Sequence, residues 1–168
     1  NQCNWADENG NSWLVRSSQE NISILDHFEK QQAKIGDFCT ANQGLRTSDN
    51  KRYLSNKPKG DIWKPAAGGK EIGRYMPIPK TLFVYYDPKC LDAPRKPEIF
   101  NTNEKIVIQE IRNISLARRI VATLDTDKTI CLQSTNVINL KKDMKIEILY
   151  ILGILNSSAV NYYFRCHF

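Results

Sequence analysis

Leu82-Phe83-Val84-Tyr85-Tyr86, closed by Asp87-Pro88, decides the fold class. Five consecutive aliphatic and aromatic residues suit a pleated, part-buried surface, and Asp-Pro ends the run. Toward the C-terminus, Glu104–Ile111 alternates around Ile106 and Ile108, and Arg119–Leu124, Thr129–Gln133 and Val137–Leu140 supply three more short strands. Asp125-Thr126-Asp127-Lys128 reads as a hairpin connection between two of them. Lys145–Phe164 reads as one closing helix, with Ile148, Ile151, Leu152 and Leu155 on a shared face and Tyr162 and Tyr163 further along.

Toward the N-terminus the composition changes. Residues 41–80 carry nine basic and three acidic groups, an excess that equals the +6 of the whole chain. Turn formers punctuate this segment at Ser48-Asp49-Asn50, Asn56-Lys57-Pro58-Lys59-Gly60 and Gly68-Gly69. Aromatics alternate with cations at Tyr53, Trp63-Lys64 and Arg74-Tyr75, which predicts irregular loops and short strands held by a few buried rings, Trp63 among them. Before it, Ile35, Phe38 and Cys39 with Gly36 and Gly44 predict a strand entering a turn. Ser17 and Glu20 form a capping box for a helix to about Gln31, with Ile22, Leu25 and Phe28 as its apolar stripe and Trp13 and Leu14 packed back on it. The order predicts an α+β domain: a mixed, mainly antiparallel sheet with long basic loops and flanking helices. Residues 1–168 read as a single domain, with an N-terminal helical segment (1–33), a sheet with basic loops (34–144) and a C-terminal helix (145–168).

A chain that is 41% apolar and 25% charged has the profile of a globular domain. Its longest apolar run, Ile146 to Leu155, is interrupted by Glu147 and Gly153 and falls short of the roughly 20 residues that cross a bilayer, so no membrane partner is expected. Five widely spaced cysteines, an odd count, suit free thiols in the cytoplasm better than a disulfide framework. The first residue is Asn1, so the chain reads as a piece of a longer protein.

Catalytic signatures are sparse. Gly68-Gly69-Lys70-Glu71-Ile72-Gly73 is glycine-rich, but no clear strand precedes it, no clear helix follows, and no Ser or Thr follows Lys70 as in a P-loop. No Asn- or Asp-Pro-Pro-aromatic loop is present to hold a flipped base for amino methylation. His27 sits among Leu25, Phe28 and Glu29, where surface or packing roles are expected. Asp87-Pro88-Lys89 and Asp143-Met144-Lys145 match part of a metal-dependent nuclease pattern, at a frequency chance supplies in so charged a chain. The sequence offers a binding surface rather than an active site, and no cofactor or metal is expected within it.

From Gly44-Leu45-Arg46-Thr47-Ser48-Asp49-Asn50-Lys51-Arg52-Tyr53-Leu54 onward, the chain resembles a known family. The pieces follow in order: Ile35-Gly36-Asp37-Phe38, a Gly-x-x-Thr turn at Gly44–Thr47, Lys64-Pro65, and Gly69-Lys70-Glu71-Ile72-Gly73-Arg74-Tyr75. Phe83–Asp87, Arg95–Phe100, Glu104–Val107, Ala122–Asp125 and Tyr150–Ser157 continue the series, so the likeness covers roughly residues 34 to 164. The chain is identified as a member of the TaqI-like C-terminal specificity domains of type IIG restriction-modification enzymes and bacterial adenine-specific DNA methyltransferases. More distantly it is similar to the target-recognition domains of type I specificity subunits. The resemblance implies sequence-specific recognition of double-stranded DNA by a non-catalytic piece. It also implies an N-terminal methyltransferase domain in the same polypeptide, which would hold S-adenosylmethionine and, if the parent also cleaves DNA, Mg2+.

The expected interface is the loops between Gly44 and Tyr75. Lys51, Lys57, Lys59 and Lys70 are the candidate phosphate contacts, fixing register without reading sequence. Arg46, Asn50 and Arg52, with Gln43 behind them, are the candidate base readers, because Arg matches guanine and Asn or Gln matches adenine bidentately. Arg74 is a candidate phosphate ligand or, equally, a scaffold arginine bonded to backbone carbonyls. The alternatives are an RNA-binding module stacking bases on aromatics, a metal-dependent nuclease using Asp87 or Asp143, and a protein-interaction domain with an acidic partner.

Overall fold

The computed structural model describes residues 25–110 and 115–167. The capping box at Ser17, the expected packing of Trp13 and Leu14, and Cys3 lie outside the described residues. Residues 25–29 are helical, and their Phe28 ring lies 5.1 Å from that of Tyr163 near the other end of the chain.

The fold is α+β, with mainly antiparallel sheets. One four-stranded sheet runs in the order β1 (Cys39–Gln43), β10 (Thr135–Leu140), β7 (Lys105–Gln109), β8 (Ala122–Asp125), and every pair in it is antiparallel. A second runs β3 (Leu54–Ser55), β5 (Leu82–Tyr85), β4 (Trp63–Ala67), β9 (Ile130–Cys131), and its β4–β9 pair is parallel. A two-stranded ladder joins β2 (Arg46–Thr47) to β6 (Leu91–Ala93).

The first sheet is covered on both faces, which is why Ile106-Val107-Ile108 reads as an unbroken apolar run. Val107 and Val137 point toward the second sheet, into a core with Leu45, Ala66, Ala67, Val84, Phe100 and Cys131. Ile106, Ala122 and Ile138 point the other way, against helix α3 (Ile148–Leu155) and its Ile148, Ile151, Leu152 and Leu155. The result is a helix layer, a central sheet and an outer sheet.

Four expectations are corrected. Ile35–Phe38 forms a single helical turn, α1, instead of a strand; Asp37 accepts from the Lys34 amide and closes it, and strand β1 begins at Cys39. The Asp125–Lys128 stretch is no hairpin. β8 belongs to the central sheet and β9 to the outer one, so this turn carries the chain between layers, with Lys128 at φ 57°. The C-terminal segment is two helices, α3 and α4 (Ser158–His167), divided at Asn156-Ser157. Finally, the Gly68-Gly69 turn does follow a strand, β4, and opens one short 3-10 turn at Gly69–Glu71.

The break at Asn156 has a tertiary cause. Its buried amide donates to the Ala122 carbonyl (2.9 Å) and accepts from the Ala122 amide (3.1 Å), replacing a missing neighbour strand at the β8 edge. Asn161 does the same one turn on, accepting from Arg119 N (2.7 Å) and Ile120 N and donating to Ala117 O. Two side-chain amides thus satisfy an edge that would otherwise stay unpaired under the helices.

Lys105, fully buried on β7, forms a short ion pair with Asp125, its cross-strand partner on β8, and donates to Phe100 O at 2.9 Å. Asp125 also accepts from Thr129 N (2.9 Å), Thr129 Oγ1 (2.8 Å) and Asp127 N. Burial alone would raise the Asp125 carboxyl, but the hydrogen bond and charge of Lys105, with the Thr129 bonds, hold it below its ordinary value. The pair therefore anchors the layer crossing at the end of β8.

Candidate nucleic-acid interface

The basic segment of the sequence becomes a chain of exposed groups along the β2–β6 ladder and the outer sheet. Its start is fixed by Gly44. A Cβ there would lie 2.2 Å from the Leu132 carbonyl oxygen, so only glycine lets the chain pass so close to residues 131–132. Gly44 N donates to Thr135 O (2.9 Å) and Leu45 N to Cys131 O (2.9 Å), so the turn is clamped to the frame just before Arg46.

Arg46 is exposed and ion-paired with Asp92 of β6, also exposed. Such a surface pair is worth about 0–1 kcal/mol, so a nucleic-acid oxygen or base edge can displace the carboxylate. Thr47, buried beside it, donates from Oγ1 to Asn50 Oδ1 (2.6 Å), leaving the Asn50 Nδ2 donors facing outward. Asp49 accepts from Lys51 N (2.8 Å) and Arg52 N (3.3 Å) and holds the turn α2 (Asn50–Tyr53), which displays Lys51 and Arg52 side by side. The Arg52 guanidinium lies 5.4 Å from the Tyr53 ring centre, and the Lys59 ammonium 5.2 Å from that of Trp63. Lys57 is exposed in the same 56–60 loop.

Trp63 is only half-buried, packed edge-on against Tyr85 at 5.7 Å, and not in the core as the sequence suggested. The Tyr53 phenol is raised by its hydrogen bond with the Cys90 thiol and by burial, which marks the two groups as neighbours.

Two sequence candidates lie elsewhere or are otherwise engaged. Gln43 is held fast: its Nε2 donates to both Glu110 oxygens (2.8 and 2.9 Å) and to Gln133 O, while its Oε1 accepts from Arg95. Arg74 donates to the Asn156 carbonyl (3.1 Å), which Arg118 also bonds (3.0 Å), and lies over the Tyr75 ring at 4.7 Å. Tyr75 has φ 57° and its amide donates to Ala122 O, so Arg74 belongs with the α3–β8 junction and apart from the basic turn. Lys70 is exposed on the Gly69–Glu71 turn, which Ser134 and Gln109 fasten through Gly69 at the Gln43 end of the chain of groups.

Arg95 was missed by sequence reasoning. Its Nε donates to Gln43 O at 3.0 Å, so it joins the same surface as Arg46 and Asp92. Only the β2–β6 pairing reveals this, because Arg95 lies 52 residues from Gln43.

Nuclease chemistry would need carboxylates gathered together. Asp87 is spent capping its own 3-10 turn through Lys89 N (3.0 Å), and Asp143 sits alone in a turn at φ 63°. Among the described residues no three His, Cys, Asp or Glu side chains could share an ion.

The surface is therefore cationic, amide-bearing and held on a rigid frame, and a family model supplies its class. The model described as the TaqI-like C-terminal specificity domain matches residues 64–168. This chain belongs to that family. A specificity domain of this kind has a DNA sequence-recognition role in restriction-modification enzymes and is not catalytic in itself. The TaqI-like match runs from Lys64 through α4, hence takes in Tyr85, Asp92 and Arg95, while Arg46 to Trp63 precede it. A comparison with curated proteins returned no match. Among the described residues no helix is long and apolar enough to cross a membrane.

Proposed function

We propose that this specificity domain reads a double-stranded DNA target for an adenine-specific methyltransferase or restriction-modification enzyme, through the groups running from Arg46 to Lys59. The observation that carries the reading is the contrast between exposed, loosely held polar groups and the clamped backbone that presents them. Arg46 gives up only a weak surface pair, and Asn50 offers free donors from an oriented amide. Arg46 suits a bidentate base contact in a groove, and Asn50 a single donated bond to a base acceptor. Lys51, Arg52, Lys57 and Lys59 suit phosphates, which supply affinity and register. Lys70 extends this contact at the far end, and Arg95 buttresses it through Gln43.

In this reading the methyltransferase domain, its S-adenosylmethionine and any Mg2+ lie in the parent polypeptide outside this chain, and together with this domain they enclose the duplex. The test is selection of bound sequences from a randomised duplex pool. Asn50→Ala and Arg46→Ala should each relax preference at one or two base pairs of the wild-type consensus. An unchanged consensus in both variants would refute the assignment.

A further inference from the structure

In the second sheet the aromatic rings gather on one face and the aliphatic side chains on the other, where Lys64 also lies. Directly opposed residues of an antiparallel ladder share a face, so Trp63 with Tyr85, and Pro65 and Ser55 with Phe83, lie on the side away from Val84, Leu54 and Ala66. Val84 and Ala66 are buried in the core with Leu54 packed against it; the outer rings are only half-buried. Tyr53 adds a third ring, 5.9 Å from Tyr85, while Trp63 meets Tyr85 edge-on at 70°. These three rings, with Arg52 and Cys90, line an open pocket of about 290 Å³. Arg52 stands at its wall and Lys59 over Trp63, and among the described residues neither cation has a carboxylate partner.

Rings that merely complete a core close over one another. Here they leave an open pocket, with two positive charges beside it that no described carboxylate pairs. That combination fits a flat π-system tethered to phosphate, which is a nucleotide. In an intact duplex both faces of each base are covered by its neighbours, so the ring walls can be used only by a base that has left the stack.

We propose that the Tyr53–Trp63–Tyr85 pocket holds one unstacked base of the bound DNA, with Arg52 and Lys59 beside the phosphates that flank it. The proposal rests on the reading that this surface contacts DNA, and adds that it grips a nucleotide outside the helix as well as reading edges within it. A duplex in which one nucleotide is already unpaired then binds better than its perfect counterpart, because the unstacking cost falls away.

The experiment compares two duplexes of the same sequence, one fully paired and one with a single unpaired 2-aminopurine, titrated with the whole chain at several salt concentrations. The unpaired duplex should bind about 5- to 100-fold tighter, and its 2-aminopurine emission should fall as the base stacks on the rings. Trp63→Ala and Tyr85→Ala should bring the affinity ratio toward one and abolish the quenching, while Trp63→Phe, which keeps a ring, should retain both. Circular dichroism checks folding; should either alanine variant fail to fold, Tyr53→Leu, at a half-exposed position, reads the same loss. Salt-dependent binding of both duplexes with equal affinity would overturn the pocket and leave DNA recognition standing. A preference that survives Trp63→Ala, Tyr85→Ala and Tyr53→Leu would overturn the pocket too. No salt-dependent binding of either duplex would instead overturn the reading on which it rests.

Discussion

The central sheet with its helices and the surface running from Gln43 to Trp63 handle polar groups in opposite ways. In the first, the buried ion pair and the buried asparagine side chains are paired: Lys105 with Asp125, Asn156 with Ala122, Asn161 with Arg119 and Ile120. In the second, strands of two residues alternate with exposed turns, and Lys51, Arg52, Lys57 and Lys59 face solvent. Buried polar networks are costly unless complete, so they define one structure. Exposed, weakly paired cations cost little to re-pair with a ligand. The molecule thus keeps its paired buried groups and its exposed cations in separate layers, joined at Gly44 and by the Asp125–Lys128 crossing.

The sharpest way to break this division is at Asp125. Replacing it with alanine leaves Lys105 charged and buried without its counter-ion, and should cost about 3–5 kcal/mol of unfolding free energy. The double variant Lys105→Met/Asp125→Leu should cost much less. Because the folded carboxyl is held below its ordinary value, its contribution is fully present above about pH 4 and is lost as pH falls through the folded pKa. The urea midpoint of the wild type should therefore drop on acidification, and that of the double variant should drop less steeply. If the two fell in parallel, the pair would not carry the acid sensitivity.

Asn156→Ala comes next. It strips the Ala122 amide of its buried acceptor and leaves the Ala122 carbonyl to the Tyr75 amide alone, and should cost about 2 kcal/mol in urea unfolding. Neither its DNA salt dependence nor its sequence preference should change if frame and reading surface are separate. A change in preference would show the two coupled.

Arg46→Ala should do the reverse. Expected losses are about 1–3 kcal/mol in binding at the preferred sequence, with the melting temperature within a degree or two of wild type, because only a surface pair is removed. Lys51→Ala should lower affinity for all sequences alike and reduce the salt slope by about one unit. Anisotropy and thermal melts on the same samples separate these outcomes.

The smallest effect is chemical. Burial raises Cys39 and pushes Cys131 up to about 12, so little reactive thiolate forms at either. Brief treatment of the folded chain with iodoacetamide should leave both unmodified by peptide mass mapping, whereas labelling of Cys131 would show the frame opening.

The same division explains what could be read from sequence. Leu82–Tyr85, Lys105–Gln109 and Thr135–Leu140 announce themselves because local β-propensity and burial agree. The split of the closing helix does not, since Asn156 breaks it by bonding Ala122, 34 residues earlier. Asp125-Thr126-Asp127-Lys128 has the composition of any hairpin turn, and only the partners of β8 and β9 show that it changes layers. The basic segment gave away the exposed cations from Arg46 to Lys59. It could not give Arg95, Asp92 or the Tyr85 wall of the pocket, which arrive from later strands. Nor could it show that Gln43 and Arg74 are held by Glu110 and Asn156.

The most direct test of a DNA-reading surface on a rigid frame is a fluorescence-anisotropy titration of the chain with duplex DNA, single-stranded DNA and RNA across a range of salt. Duplex preference, with affinity falling steeply as salt rises and Lys51→Ala lowering that slope, is the expected result. Absence of duplex binding at low salt, both here and in the parent protein, or a preference for RNA over duplex, would contradict it.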